Sequence, residues 1–135
     1  MNQSIDRPGT ITIAAILIGL YAGVVIAWDL VAPFERPYAQ GPVSVVAGIR
    51  VFGIWAQMAH MAQLFVAMAL AYGLWTMREW AWGLAQFVAG YMLISIAVWM
   101  TVYQEFERIK FAFFYIVVVN LLLALVFPHR EKFKN

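Results

Sequence analysis

The sequence predicts an all-α fold: an integral membrane four-helix bundle in up-down-up-down order. Three observations carry this. Hydrophobic residues make up 64% of the chain and charged residues only 12%. A water-facing domain carries about 25% charged residues, so this chain lacks the side chains needed to cover a solvated surface. The mean hydropathy of +0.79 points the same way. Apolar residues collect in four runs, each near the roughly 20 residues a helix needs to cross a bilayer. The last two connections are short, which makes the helices they join antiparallel neighbours. With 135 residues the chain forms one domain, 1–135.

The first run extends from about Thr10 to Val31. Its flank carries Asp6 beside Arg7, its apolar stretch is longer than a signal-peptide core, and no small-residue cleavage site follows. It reads as a retained span. Residues 32–50 contain Pro33, Pro37, Gly41 and Pro42, which take the chain out of the membrane. Val43 to Ile49 is apolar again, either an interfacial segment or two extra turns on the second helix. That helix spans about Val51 to Trp75, the third about Trp80 to Tyr103, and the fourth about Ile109 to Phe127. Thr76 to Glu79 forms one tight turn, and Gln104 to Arg108 forms a charged one.

With four spans both termini share a side. That side carries Arg7, Arg78, Arg130, Lys132 and Lys134, against Arg36, Arg50, Arg108 and Lys110 on the other. Cytoplasmic loops carry the excess of Lys and Arg, so the termini are expected in the cytoplasm. Trp28, Trp75, Trp80 and Tyr103 fall near the ends of the runs, as an aromatic belt requires.

Several functions are excluded or disfavoured by what the chain lacks. Cysteine is absent, which removes disulfides, thiolate metal sites and a thiol nucleophile. The net charge is +2 and no basic run marks a nucleic-acid partner. No glycine-rich phosphate loop and no His/Glu metal spacing occur. Asp29 sits near the end of the first span and the glutamates lie in turns or at span ends, so the midplane acid typical of a proton-coupled transporter is missing.

Two features remain. Ala15, Gly19, Gly23 and Ala27 recur every four residues and share one face of the first helix. Gly19 and Gly23 form a GxxxG, which lets backbones approach closely. It serves packing against another helix of the same bundle or against another subunit. The third helix has a similar stripe at Ala81, Ala85 and Ala89, a partner for the first. The second helix carries Gln57, His60 and Gln63 on one face deep in the span. Such groups are costly in lipid unless they face inward and find partners. By height along the helices, Ser95 on the third helix is within reach of His60, and Gln86 of Asn120. His60 is then either a neutral imidazole bonded to Gln or Ser, or a ligand to haem iron or to a chlorophyll-type pigment. It is the only histidine inside a span, and His129 lies at the end of the fourth helix.

Three segments carry a loose resemblance. RPGTITIAAILIGLYAG (Arg7 to Gly23), REWAWGLA (Arg78 to Ala85) and NLLLALVFPHREKF (Asn120 to Phe133) together resemble a broad group of small uncharacterised four-helix membrane proteins of bacteria and archaea. The resemblance implies the four-span layout and a bacterial or archaeal plasma membrane; it brings no activity and no site residues. The function expected is therefore non-catalytic: a structural or accessory helix-bundle subunit whose partners are the lipid bilayer and a homo-oligomer or larger membrane complex. The alternatives are a cofactor-binding subunit using His60, or a small transporter.

Overall fold

The computed structural model describes residues 7–26, 43–103 and 109–133. Expectations that fall on Ala27, Trp28, Asp29, the proline-rich connection at 32–42 and the charged turn at 104–108 lie outside those residues.

Helix α1 (Gly9–Leu20) starts behind Pro8. The Pro8 carbonyl accepts the N–H groups of Ile11 and Thr12, each at 3.1 Å, so the first turn closes without needing a proline N–H. The sequence predicts regular helix to Val31. Instead, α1 widens into a π turn over Tyr21–Ile26. Gly19 and Gly23 flank the start of that change, and glycine favours the α-helix less than alanine by about 1 kcal/mol.

Val43 to Ile49 is not an extension of the second helix. It belongs to an antiparallel hairpin of β1 (Val43–Val46) and β2 (Ile49–Phe52), with Val46 opposite Ile49 and Val43 opposite Phe52. Valine and isoleucine dominate both strands, and their branched Cβ favours the pleated backbone. Between them Ala47 and Gly48 take φ of 49° and 84°, the two positive values that a type I′ hairpin turn requires. Gly53, at φ 61°, breaks the strand direction, so α2 (Ile54–Trp75) begins later than the expected Val51.

Helix α2 ends in a Schellman motif. Arg78 N–H bonds the Gly73 carbonyl at 2.9 Å and Met77 N–H bonds that of Leu74 at 3.2 Å. Met77 occupies the left-handed position at φ 56°, one usually taken by glycine. Burial of its side chain holds it there. Helix α3 (Glu79–Tyr103) follows at once. Helix α4 (Ile109–Val126) runs into a 3₁₀ turn over Phe127–Lys132 that starts around Pro128.

Each helix packs on the next, and α4 closes against α1. Arg7 Nη1 donates to the Trp75 carbonyl at 2.6 Å, and Thr10 Oγ1 is hydrogen-bonded to His129 Nε2 at 2.9 Å. The start of α1, the end of α2 and the end of α4 therefore meet at one end of the bundle, its closed end. The central cluster of Ile11, Ala14, Ala15, Leu70, Leu74, Met77, Ala81, Ala85, Val126 and Phe133 lies toward that end. The hairpin sits toward the other.

Many large apolar side chains point outward, and alanines supply much of the interior beside Ile11, Leu70 and Leu74. Phe65 and Phe87 are each 70% exposed and Trp55 is 68% exposed, whereas Ala14, Ala15, Ala56, Ala81, Ala85 and Ala89 are buried. Among the described residues, α2 and α3 are long and apolar enough to cross a membrane.

The stripe of α1 is only partly a packing face. Ala15 is buried, and a Cβ on Gly19 would lie in ordinary contact, 3.9 Å from the Ala71 Cβ. Gly23 is exposed, and a Cβ there would meet nothing within 4 Å. The π turn packs on α2, with Ala22 rather than Gly23 buried among the described residues. Gly23→Leu is accordingly expected to change stability by less than about 0.5 kcal/mol, read as the thermal unfolding midpoint in detergent. The α3 stripe, Ala81, Ala85 and Ala89, is buried, but the principal neighbours of α3 are α2 and α4, and α1 stands across the core from it.

Candidate functional site

Polar groups gather where the hairpin meets α2 and α3. The pair flanking a two-residue turn exchanges ladder hydrogen bonds, so the next pair, Val45 and Arg50, points its backbone groups outward. Helix side chains meet both edges. Gln63 Nε2 donates to the Val45 carbonyl at 3.3 Å. Arg50 N–H donates to Tyr103 Oη at 2.8 Å, and the Arg50 guanidinium lies over that same ring, 4.4 Å from its centroid. At the tip, Ala47 N–H donates to Tyr91 Oη at 2.8 Å.

Gly48 lets the tip seat itself. A Cβ there would fall 2.5 Å from the Ser95 carbonyl oxygen, 2.6 Å from Val98 Cβ and 2.8 Å from Trp99 N. Tyr91 is the midpoint of the 25-residue α3, about 18 Å from either end at 1.5 Å rise per residue. The hairpin thus reaches half-way along its supporting helix.

Of the polar residues predicted from sequence, Gln63 and Ser95 lie against the hairpin. Gln63 holds β1. His60, one turn earlier on the same face, is 8% exposed and engaged with its surroundings. Gln57 is half-buried. Ser95 meets the hairpin through its backbone, at Gly48. The expected pairing of Gln86 with Asn120 is corrected. Asn120 Nδ2 turns back to the Ile116 carbonyl at 2.8 Å, and Gln86 Nε2 is buried with no hydrogen-bond partner among the described residues. The Ser44 hydroxyl on β1 is likewise buried and unpartnered among the described residues.

Tyr91 and Tyr103 were not singled out from the sequence as site residues. The signal for Tyr91 was a phenol in the middle of an apolar span, since a buried Tyr O–H usually takes a partner. The hairpin itself was signalled by branched residues on either side of Ala47-Gly48.

The chemistry available is limited. Helix α2 has no charged residue, and α3 has only Glu79, at its start. Among the described residues no group of three or more His, Asp or Glu is placed to hold a metal ion. His60 stands about 22 Å along α2 from Trp75, whereas His129 sits at the Trp75 end, bonded to Thr10. The two cannot share one iron within the chain, so a haem or chlorophyll-type pigment would take His60 as its single histidine ligand from this chain. Comparison with family models, curated proteins and solved structures finds no match for this chain.

The neutral amide of glutamine supplies a donor and an acceptor, as a neutral imidazole does. His60→Gln is therefore expected to be tolerated. His60→Leu is expected to cost about 1–3 kcal/mol by leaving a buried partner unsatisfied. Thermal unfolding in detergent measures both.

Proposed function

We propose that the chain is a four-span integral membrane protein of a bacterial or archaeal plasma membrane, with cytoplasmic termini. Its role is non-catalytic, that of a structural or accessory helix-bundle subunit. The observation that supports this best is the inverted distribution of side-chain size. Phe65, Phe87, Ile94 and Phe113 face outward around an interior rich in alanine. A soluble monomer rarely exposes contiguous apolar area of this extent. In lipid the same faces are solvated, and small interior residues allow close helix approach.

The polar groups that meet the hairpin, from Tyr91 at the middle of α3 to Tyr103 at its end, fit the structural role. Backbone off a helix is tolerated at bilayer depth only when protein or trapped water satisfies it. Gln63, Tyr91 and Tyr103 supply that satisfaction to the hairpin, and they are polar groups that a transport path would otherwise use.

Fractionation of cells tests the first part. The protein is expected in the membrane pellet after an alkaline carbonate wash and in the soluble fraction only with detergent. Release by carbonate would reject the membrane reading. Cross-linking in native membranes tests the second part: species larger than one chain are expected, and a strictly monomeric protein would reject the subunit role. A visible absorption band that vanishes in His60→Gln would replace the role by cofactor binding.

A further inference from the structure

A second polar site lies at the closed end, away from the hairpin. The first turns of α3 and the 3₁₀ tail flank a half-open cavity of about 500 Å³, lined by Glu79, Trp82, Gly83, Arg130, Glu131 and Phe133. The Arg130 guanidinium lies over the Trp82 ring, 5.0 Å from its centroid. Phe127 is tilted against the same ring at 5.9 Å, and Trp82 Nε1 donates to the Phe127 carbonyl at 3.4 Å. Phe133 turns back into the core, which anchors the tail beside α3. Among the described residues neither Glu79 nor Glu131 has an ion-pair partner.

The cavity therefore offers two carboxylates with no ion-pair partner among the described residues, and one guanidinium, around an aromatic wall. We propose that it holds the headgroup of a zwitterionic phospholipid bearing a primary amine, with the ammonium between Glu79 and Glu131 and the phosphate on Arg130. This rests on the reading that the chain is embedded in a membrane. The volume is in the range of small-molecule sites. Trp75 and Trp80, both half-exposed at the same end of the bundle, mark the level at which headgroups lie. Below the cavity, exposed Gly83 has open space beside it and Phe87 follows one turn on, which leaves a track for an acyl chain along α3.

Charge and hydrogen bonding select among headgroups. A primary ammonium brings three N–H donors to carboxylate acceptors. A choline group brings none, and the aromatic face that would attract it is occupied by Arg130 and Phe127. A headgroup with only negative charge meets two carboxylates and one guanidinium.

The experiment uses the full chain, purified in mild detergent and offered equal amounts of phosphatidylethanolamine, phosphatidylcholine and phosphatidylglycerol with identical acyl chains. Native mass spectrometry reads the lipids retained. Phosphatidylethanolamine is expected to be retained about threefold to fivefold over each of the others, the size appropriate to exposed charge pairs. The preference is expected to vanish in Glu79→Gln/Glu131→Gln. Gly83→Leu projects into the cavity from a position where a Cβ meets nothing within 4 Å, and it is expected to abolish retention while thermal stability stays at or above the parent value. Equal retention of the three lipids, or a preference unchanged in the double variant or in Gly83→Leu, would overturn the site and leave the membrane reading intact. A protein that carbonate releases from membranes would overturn both.

Discussion

Replacing Gly48 by alanine is expected to lower stability by about 3 kcal/mol or more, the largest effect of any single methyl group in the hairpin. Two costs add. A residue other than glycine at φ 84° carries about 1–3 kcal/mol of backbone strain. Its Cβ would also sit 2.5 Å from the Ser95 carbonyl oxygen and 2.8 Å from Trp99 N. Both are backbone atoms of α3, unable to move aside as a side-chain tip can, and forced overpacking costs a further 1–3 kcal/mol or so. Ala47 is the control. It too has positive φ, 49°, but it is exposed, so Ala47→Gly is expected to be near neutral. The readout is the thermal unfolding midpoint of the two variants beside the parent in one detergent. Gly48→Ala melting with the parent would show that the tip does not rest on α3.

The helices were legible because each is set by a local property. A run of apolar residues long enough to span and a breaker at its end fix α3 and α4 to within a residue or two of the expected limits. The hairpin was not legible from the same reading, because hydrophobicity alone does not distinguish a short buried strand from a turn of helix. The distinction lay in branched side chains flanking Ala47-Gly48 and in Gly53. The polar face of α2 was proposed from its spacing, and its partners were sought among Gln and Ser side chains. Gln63 bonds a strand carbonyl instead, and no side-chain pattern announces a backbone partner from another segment. The glycines show the same limit. GxxxG at Gly19 and Gly23 is a recognisable spacing, yet close contact falls at Gly48 and Gly73, neither of which belongs to such a motif.

The two ends of the bundle are held by different physics, and this ties the hairpin to the core. At the closed end α2 and α3 touch directly, with Leu74, Met77, Ala81 and Ala85 in one apolar cluster. Toward the other end the hairpin lies against both helices, accepting a hydrogen bond from Gln63 and donating to Tyr91 and Tyr103. Apolar packing is tolerant of small shifts, whereas hydrogen bonds weaken steeply when misaligned. A change that alters the spacing of α2 and α3 at the closed end therefore also misaligns the hairpin supports.

Gly73 sets that spacing, and Gly73→Leu is expected to destabilise the protein by more than about 3 kcal/mol. Even a Cβ at this position would stand 2.5 Å from Trp80 Cη2 and 2.6 Å from Ala81 Cβ. The indole is half-exposed and can swing away, but the Ala81 Cβ is fixed to the α3 backbone. The helices must then separate, and the Schellman bond from Arg78 N–H to the Gly73 carbonyl is strained with them. Gly73→Ala is a milder form: about 1–3 kcal/mol of overpacking against a gain of about 1 kcal/mol in helix propensity. Ala81→Gly removes the opposing methyl, so Gly73→Ala combined with Ala81→Gly moves one methyl group from α3 to α2 at nearly constant volume. The double variant is expected to be more stable than the sum of the single effects by at least about 1 kcal/mol, a coupling typical of residues in direct contact. Thermal unfolding of the four proteins of this cycle gives the value. Strict additivity would mean that Gly73 and Ala81 do not touch and that another contact sets the distance between α2 and α3.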